Sequence, residues 1–205
     1  MDTNRNMLQG DVTINTAAPT SSETQIVMSW TLATSRPSYA VNFFNTTTIV
    51  GNTFRANFEY LDKTTVYYGC PRYSVAITLP YSAHQPKTYG EMLVLVQSGS
   101  INISGLSARE VIATVVQEGP ITLTNVDSFE SIVVSVNAGK ISLNNINMNN
   151  ETNELQIQSD KGFISVQNFV QGSIVASLSE GDISIDLPNV RRGAAGEVGQ
   201  RKMPL

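Results

Sequence analysis

Cysteine and histidine occur once each, as Cys70 and His84. A single thiol excludes an intrachain disulfide, and one histidine leaves a His-based zinc site without its ligands. Charge is scarce as well: 15% of the residues are Asp, Glu, Lys or Arg, and the net charge is −4. Such a chain does not suit a phosphate backbone, so no nucleic-acid partner is expected. No apolar run approaches the roughly 18 residues that a membrane-spanning helix needs, so no membrane span is expected. The opening MDTNRNMLQG carries no apolar leader stretch, and neither signal peptide nor anchor is visible. Phosphate loops, dinucleotide glycine patterns and GGxGxD calcium repeats are missing too. No cofactor and no metal is expected.

What is present is apolar and uncharged-polar. Hydrophobic residues make up 41% of the chain, which fits a packed core and not a disordered chain. Ser, Thr and Asn fill the polar positions, as in sheets with exposed Thr and in turns where Asn and Ser bond their own backbone.

The region from about residue 92 to 188 repeats. Gly99, Gly119, Gly139, Gly162 and Gly181 are spaced by 20, 20, 23 and 19 residues. Two residues after each glycine stand Ile101, Ile121, Ile141, Ile164 and Ile183, and four after it Ile103, Leu123, Leu143, Val166 and Ile185. Seven after it stand Leu106, Val126, Ile146 and Phe169, before Pro188 breaks the series. Five and three before it come Val94 and Val96, Thr114 and Val116, Val134 and Val136, Ile157 and Ser159, and Ala176 and Leu178. Each half alternates like a strand, and the glycine stands where a bend without a Cβ costs least. One unit cannot bury its own apolar row, but stacked units can. The expected fold is therefore all-β, a β-solenoid (single-stranded β-helix) of coils near 20 residues. An antiparallel sandwich also gives short strands at regular spacing, but it does not repeat one side chain at one offset from one glycine. The long interval holds NMNNETNE, an Asn-rich insertion at a turn.

Residues 1–91 are expected to hold a first coil and an irregular β-rich cap. Gly10 opens GDVTI, which echoes GDISI at Gly181 and reads as an outlying coil. Residues 23–34 and 73–79 alternate, and weaker strand signals lie at 41–50, 54–61 and 64–68. Twelve of the fifteen aromatics fall between Trp30 and Tyr89. A cap explains them, because a bare coil end exposes backbone and core. A ligand surface on Tyr60, Tyr67, Tyr68 and Tyr81 is the sharper reading. Residues 92–188 continue the same domain as solenoid repeats, and 189–205, RRGAAGEVGQRKMPL from Arg191 on, are expected without order. Asn45, Asn102 and Asn150 head N-x-Ser/Thr sequons, which mark candidate glycosylation positions.

Acid–base cleavage of glycans needs two carboxylates at a set separation. Before the glycines stand Ser98, Glu118, Ala138, Lys161 and Glu180, and after them Ser100, Pro120, Lys140, Phe163 and Asp182, so neither column is an acid ladder. Asp182 and Asp186 read as a solvated face. His84 has no nucleophile elbow nearby, and Cys70 reads as a structural thiol. No catalytic residue is assigned.

SGSINISGL, EGPITLTNV, AGKISLNNI, KGFISVQNF and EGDISIDL resemble the recurring SG-x-I-x-I/L units of an adhesin-like domain family of unknown function. YSVAITLP resembles the strand that leads into those units, and LQGDVTI the first of them. The resemblance implies a single-stranded β-helix, often attached to a membrane segment, with no catalytic residues. The aromatic-rich middle departs from the family's simpler pattern. The expected function is a non-enzymatic, adhesin-like structural or binding module at the cell surface or envelope, with an unidentified surface ligand or protein partner. Two alternatives stay open: an intracellular scaffold that self-associates through its coil ends, and a glycan-active β-helix enzyme. A surface or extracellular location follows from the resemblance, while the lack of a visible leader or anchor leaves the cytoplasm open.

Overall fold

A strand whose apolar residues alternate has one row to hide, and the repeats hide it by lying directly above one another. In a computed structural model of the chain, residues 9–17, 25–34, 43–50, 53–60, 71–80, 88–186 and 197–200 are described. They form eleven strands: β1 (Gln9–Thr16), β2 (Val27–Ala33), β3 (Phe43–Val50), β4 (Thr53–Tyr60), β5 (Arg72–Leu79), β6 (Tyr89–Val96), β7 (Ser98–Glu118), β8 (Ile121–Asn147), β9 (Glu154–Phe169), β10 (Ser173–Asp186) and β11 (Glu197–Gln200). The fold is the expected all-β solenoid, about five turns of about 21 residues each. Its sheet runs in the order β11-β10-β9-β8-β7-β1-β5-β2, with β6 also on β7 and β3–β4 apart as a hairpin. All pairings in the large sheet are parallel except β2 on β5.

In each coil the residues after the glycine form a front wall and those before it a back wall. Side chains from both walls meet in one core. Ile101, Ile121, Ile141 and Ile164 stack at 1% exposure or less, as do Ile103, Leu123, Leu143 and Val166. The back wall adds Val111, Ile132, Leu155 and Ile174 in register. Burying each such side chain stabilises the fold by about 1.5–3 kcal/mol.

The glycine bend is a matter of space. Gly99, Gly119, Gly139, Gly162 and Gly181 have φ between 127° and 155°. A Cβ on any of them would lie 1.6–2.2 Å from the carbonyl oxygen of the glycine one coil below. With coils separated by the strand spacing of about 4.8 Å, only hydrogen fits there.

Two details differ from the repeat read along the sequence. A coil contains a second special corner six residues after the glycine, occupied by Gly105, Asn125, Asn145 and Asn168, all with φ between 53° and 64°. Asn tolerates this left-handed conformation better than other residues with a Cβ. The Asn145 amide donates to Oδ1 of Asn125 at 2.7 Å, so the corners are also tied vertically. Secondly, β7 carries one extra residue between Val115 and Glu118 relative to β8. The bulge shifts the inward pair of that coil from Thr114 and Val116 to Ala113 and Val115, both fully buried, while Val116 is 43% exposed. Val115→Ala is accordingly expected to cost about 2 kcal/mol, and Val116→Thr less than about 0.5 kcal/mol. Urea midpoints of the two variants check this, and equal losses would contradict the bulged register.

The first segment and the tail also take different places. β1 lies in register under β7, with Gly10 opposite Gly99, but it is not the end of the stack, because β5 and then β2 lie beyond it. In the tail, expected without order, residues 197–200 pair in parallel with residues 175–178 of β10. The back-wall edge of the last coil would otherwise present unpaired N–H and C=O groups, and β11 satisfies them.

Candidate recognition face

The front wall turns its polar row outward. Thr13, Asn102 and Thr122 share one register column and Asn15, Ser104 and Thr124 the next. Higher in the stack Ser142, Ser165 and Ser184 align, beside Asn144, Gln167 and Asp186. Parallel strands in register place these groups at near-constant vertical spacing. The result is a lattice of hydroxyl and amide groups that ends on the Asp186 carboxylate.

Its first rows are braced internally. The Ser100 hydroxyl donates to Asp11 Oδ1 at 2.6 Å and the Ser104 hydroxyl to Asn15 Oδ1 at 2.5 Å. Arg72 Nε donates to Asp11 Oδ2 at 2.5 Å. Burial pushes the Asp11 carboxyl up, but the hydrogen bonds from Arg72 and Ser100 and the guanidinium charge outweigh it, so its pKa is held below the usual value. Asp11 is therefore a carboxylate at neutral pH, already engaged. Near it Gln9, Arg72, Ser98, Gly99, Glu118 and Gly119 line a depression of about 260 Å³ along the glycine corner. That is below the roughly 300–1,000 Å³ typical of small-molecule sites, so the extended face, and not this hollow, is the candidate.

The sequons fall in different settings. Asn102 is exposed on the front wall, Asn45 is half-buried in β3, and Asn150 is exposed in the insertion, where its Oδ1 accepts the Thr152 N–H at 3.1 Å. That insertion is held by Asn153, whose amide donates to the carbonyls of Phe129 at 2.7 Å and Met148 at 2.6 Å. Tyr60 ends β4 opposite Phe43. The side chain of Tyr60 and all of Tyr67, Tyr68, Tyr81, Cys70 and His84 lie outside the described residues.

The aromatics that are described meet each other. Trp30 of β2, Phe43 of β3, Phe58 of β4 and Tyr73 of β5 form a cluster with ring centroids 5.5–6.2 Å apart. The Tyr73 ring lies flat on Phe58 and fills the space beneath Gly10, where the glycine column stops. Burial raises its phenol pKa, with the nearby Asp11 charge adding to the shift.

Of the acids considered for chemistry, Asp182 and Asp186 both stand exposed on the outer face of β10. Glu180 pairs with Lys161 at 2.8 Å across two coils on the surface. Among the described residues no three His, Cys, Asp or Glu side chains group as a metal site, and no helix is long and apolar enough to cross a membrane.

This coil architecture coincides with a known family. A family model described as Toastrack DUF4097 matches residues 44–194. The chain belongs to the Toastrack DUF4097 family. The Toastrack match runs from β3 through β10 and leaves out β1, although β1 stands in the same glycine column. Toastrack is a domain of unknown function, and membership brings the fold without an adhesin label. No curated protein and no solved structure matches the chain.

Proposed function

We propose that this Toastrack solenoid is a non-enzymatic display module, an adhesin-like structural or binding element at the cell surface or envelope. The observation that carries the reading is the front-wall lattice, where Asn102, Thr122, Ser142, Ser165 and Ser184 repeat coil by coil on one face. A repeating hydrogen-bonding surface on rigid strands suits recognition of an extended polar partner more than reaction at one point. An end-to-end scaffold is less favoured, because β2 runs antiparallel over β5 at one end and β11 lies on β10 at the other. Such irregular end strands oppose edge-to-edge growth.

Protease shaving of intact cells that carry the native protein, followed by mass spectrometry of the peptides with Asn45, Asn102 and Asn150, tests the reading. Released peptides are expected. A fully protected protein sinks the surface role, and glycan hydrolysis lost in Asp182→Asn would replace display with catalysis.

A further inference from the structure

The back wall ends differently from the front. On the front wall β1, β5 and β2 follow β7, but on the back wall β6 comes last, and among the described residues no strand pairs with its far side. That edge is apolar on both faces. Met92, Val94 and Val96 point inward, and Met92 is only half-buried. Leu93 and Leu95 point outward with 61% and 65% exposure. Leu93 continues in register into the half-buried Ile112 and Val133, so the outer face of the wall is apolar there too. Proteins normally guard an edge strand with charge, proline or a bulge. Here only Glu91 serves, at one end.

We infer that β6 is the contact of a two-fold symmetric dimer, pairing antiparallel with β6 of a second copy about Val94. Three observations select this partner. The first is that the strand is complementary to itself: with Val94 opposite Val94, Leu93 faces Leu95 on the outside and Met92 faces Val96 on the inside. The same register sets Glu91 against Gln97, so no like charges meet. The second is that a copy adding head to tail would have to pair β6, eight residues long, with the back-wall edge at the other end of the stack, where β11 offers only the four residues Glu197–Gln200. The third is that an isologous contact closes on itself, which agrees with the end strands that oppose filaments. One strand pair with four leucines is a small interface, so the dimer forms at micromolar concentrations and not nanomolar ones.

Sedimentation velocity of the full chain from about 1 to 200 µM tests the inference. The expected result is a concentration-dependent shift from 22.2 kDa to twice that mass, lost in Leu93→Lys with an unchanged circular dichroism spectrum. Register is read by cross-linking in a Cys70→Ala background. Residues directly opposite in an antiparallel pair have Cβ atoms about 4.5–5.5 Å apart, and diagonal ones about 7–8 Å. A mixture of Leu93→Cys and Leu95→Cys chains is therefore expected to form disulfide-linked dimers at least five-fold faster than either chain alone. A chain that stays at 22.2 kDa throughout overturns the dimer. Slow hydrogen exchange of the β6 amides in that monomer would give the edge to another part of the same chain. A dimer that survives Leu93→Lys, or cross-links no faster in the mixture, places the contact elsewhere.

Discussion

Gly162→Ala is expected to abolish the folded state or to lower Tm by about 10 °C or more. The added Cβ would sit 1.8 Å from the carbonyl oxygen of Gly139. That atom belongs to the backbone of the neighbouring coil and cannot turn aside as a side chain could. The φ of 135° is itself unfavourable for an L-residue. A cost of about 4 kcal/mol or more is consistent with the steric mechanisms that produce the largest single-residue losses. It consumes a large part of the roughly 5–15 kcal/mol that holds a domain folded. Asn145→Gly is the control: it changes another positive-φ corner but adds no atom, and thermal melts should show a loss of a few degrees at most. If Gly162→Ala melts with the wild type, the column does not pack as closely as described.

The second large effect concerns the aromatic cluster around Tyr73. Tyr73 is 7% exposed, stacked on Phe58 at a 9° interplanar angle, and placed under Gly10. Tyr73→Ala is expected to cost about 3–5 kcal/mol, as deletion of a buried aromatic ring does. Gly10→Ala should be severe as well, because the new Cβ would lie 1.9 Å from Cζ of Tyr73, a ring already backed by Phe58. The double variant should be less destabilised than the sum by at least about 1 kcal/mol, since removing the ring makes room for the methyl group. Chemical denaturation of the four proteins measures this cycle. Additive losses would mean that the ring and Gly10 do not share the same space. A small loss for Tyr73→Ala alone would mean that this ring does little to close the end of the glycine column.

The solenoid was legible because its cause is periodic. One glycine per coil, with aliphatics two, four and seven residues later, reports a steric need that recurs identically at each turn. Departures from the period were harder to see. The bulge at Val115 inserts a residue where both candidate rows, Ala113 with Val115 and Thr114 with Val116, look plausible, and only pairing with the neighbouring strand decides between them. The second corner did leave a trace, since Asn125, Asn145 and Asn168 follow their glycines at one offset. Asn is common in ordinary turns, so its presence alone does not reveal a left-handed backbone. The position of β1 was not legible, because GDVTI shows membership in the stack and nothing about rank within it. The polar lattice follows from the same alternation that fills the core, but no single residue stands out in it. A face built from many equivalent groups leaves no motif.

The rank of β1 bears on the order of assembly. Its neighbours on both sides are distant along the chain: Asp11 meets Arg72 across 61 residues and Ser100 across 89. Coils from β7 onward contact one another across about one period. Closing long loops carries an entropic cost before contacts reward it, and distant pairings slow folding. The repeats are thus the part able to nucleate, whereas β1 has to wait until β7 and β5 are in place and then slot between them. A strand that comes early in the sequence is thus among the last pieces of the finished stack, and until it docks the front edge of β7 is open to any other strand that fits.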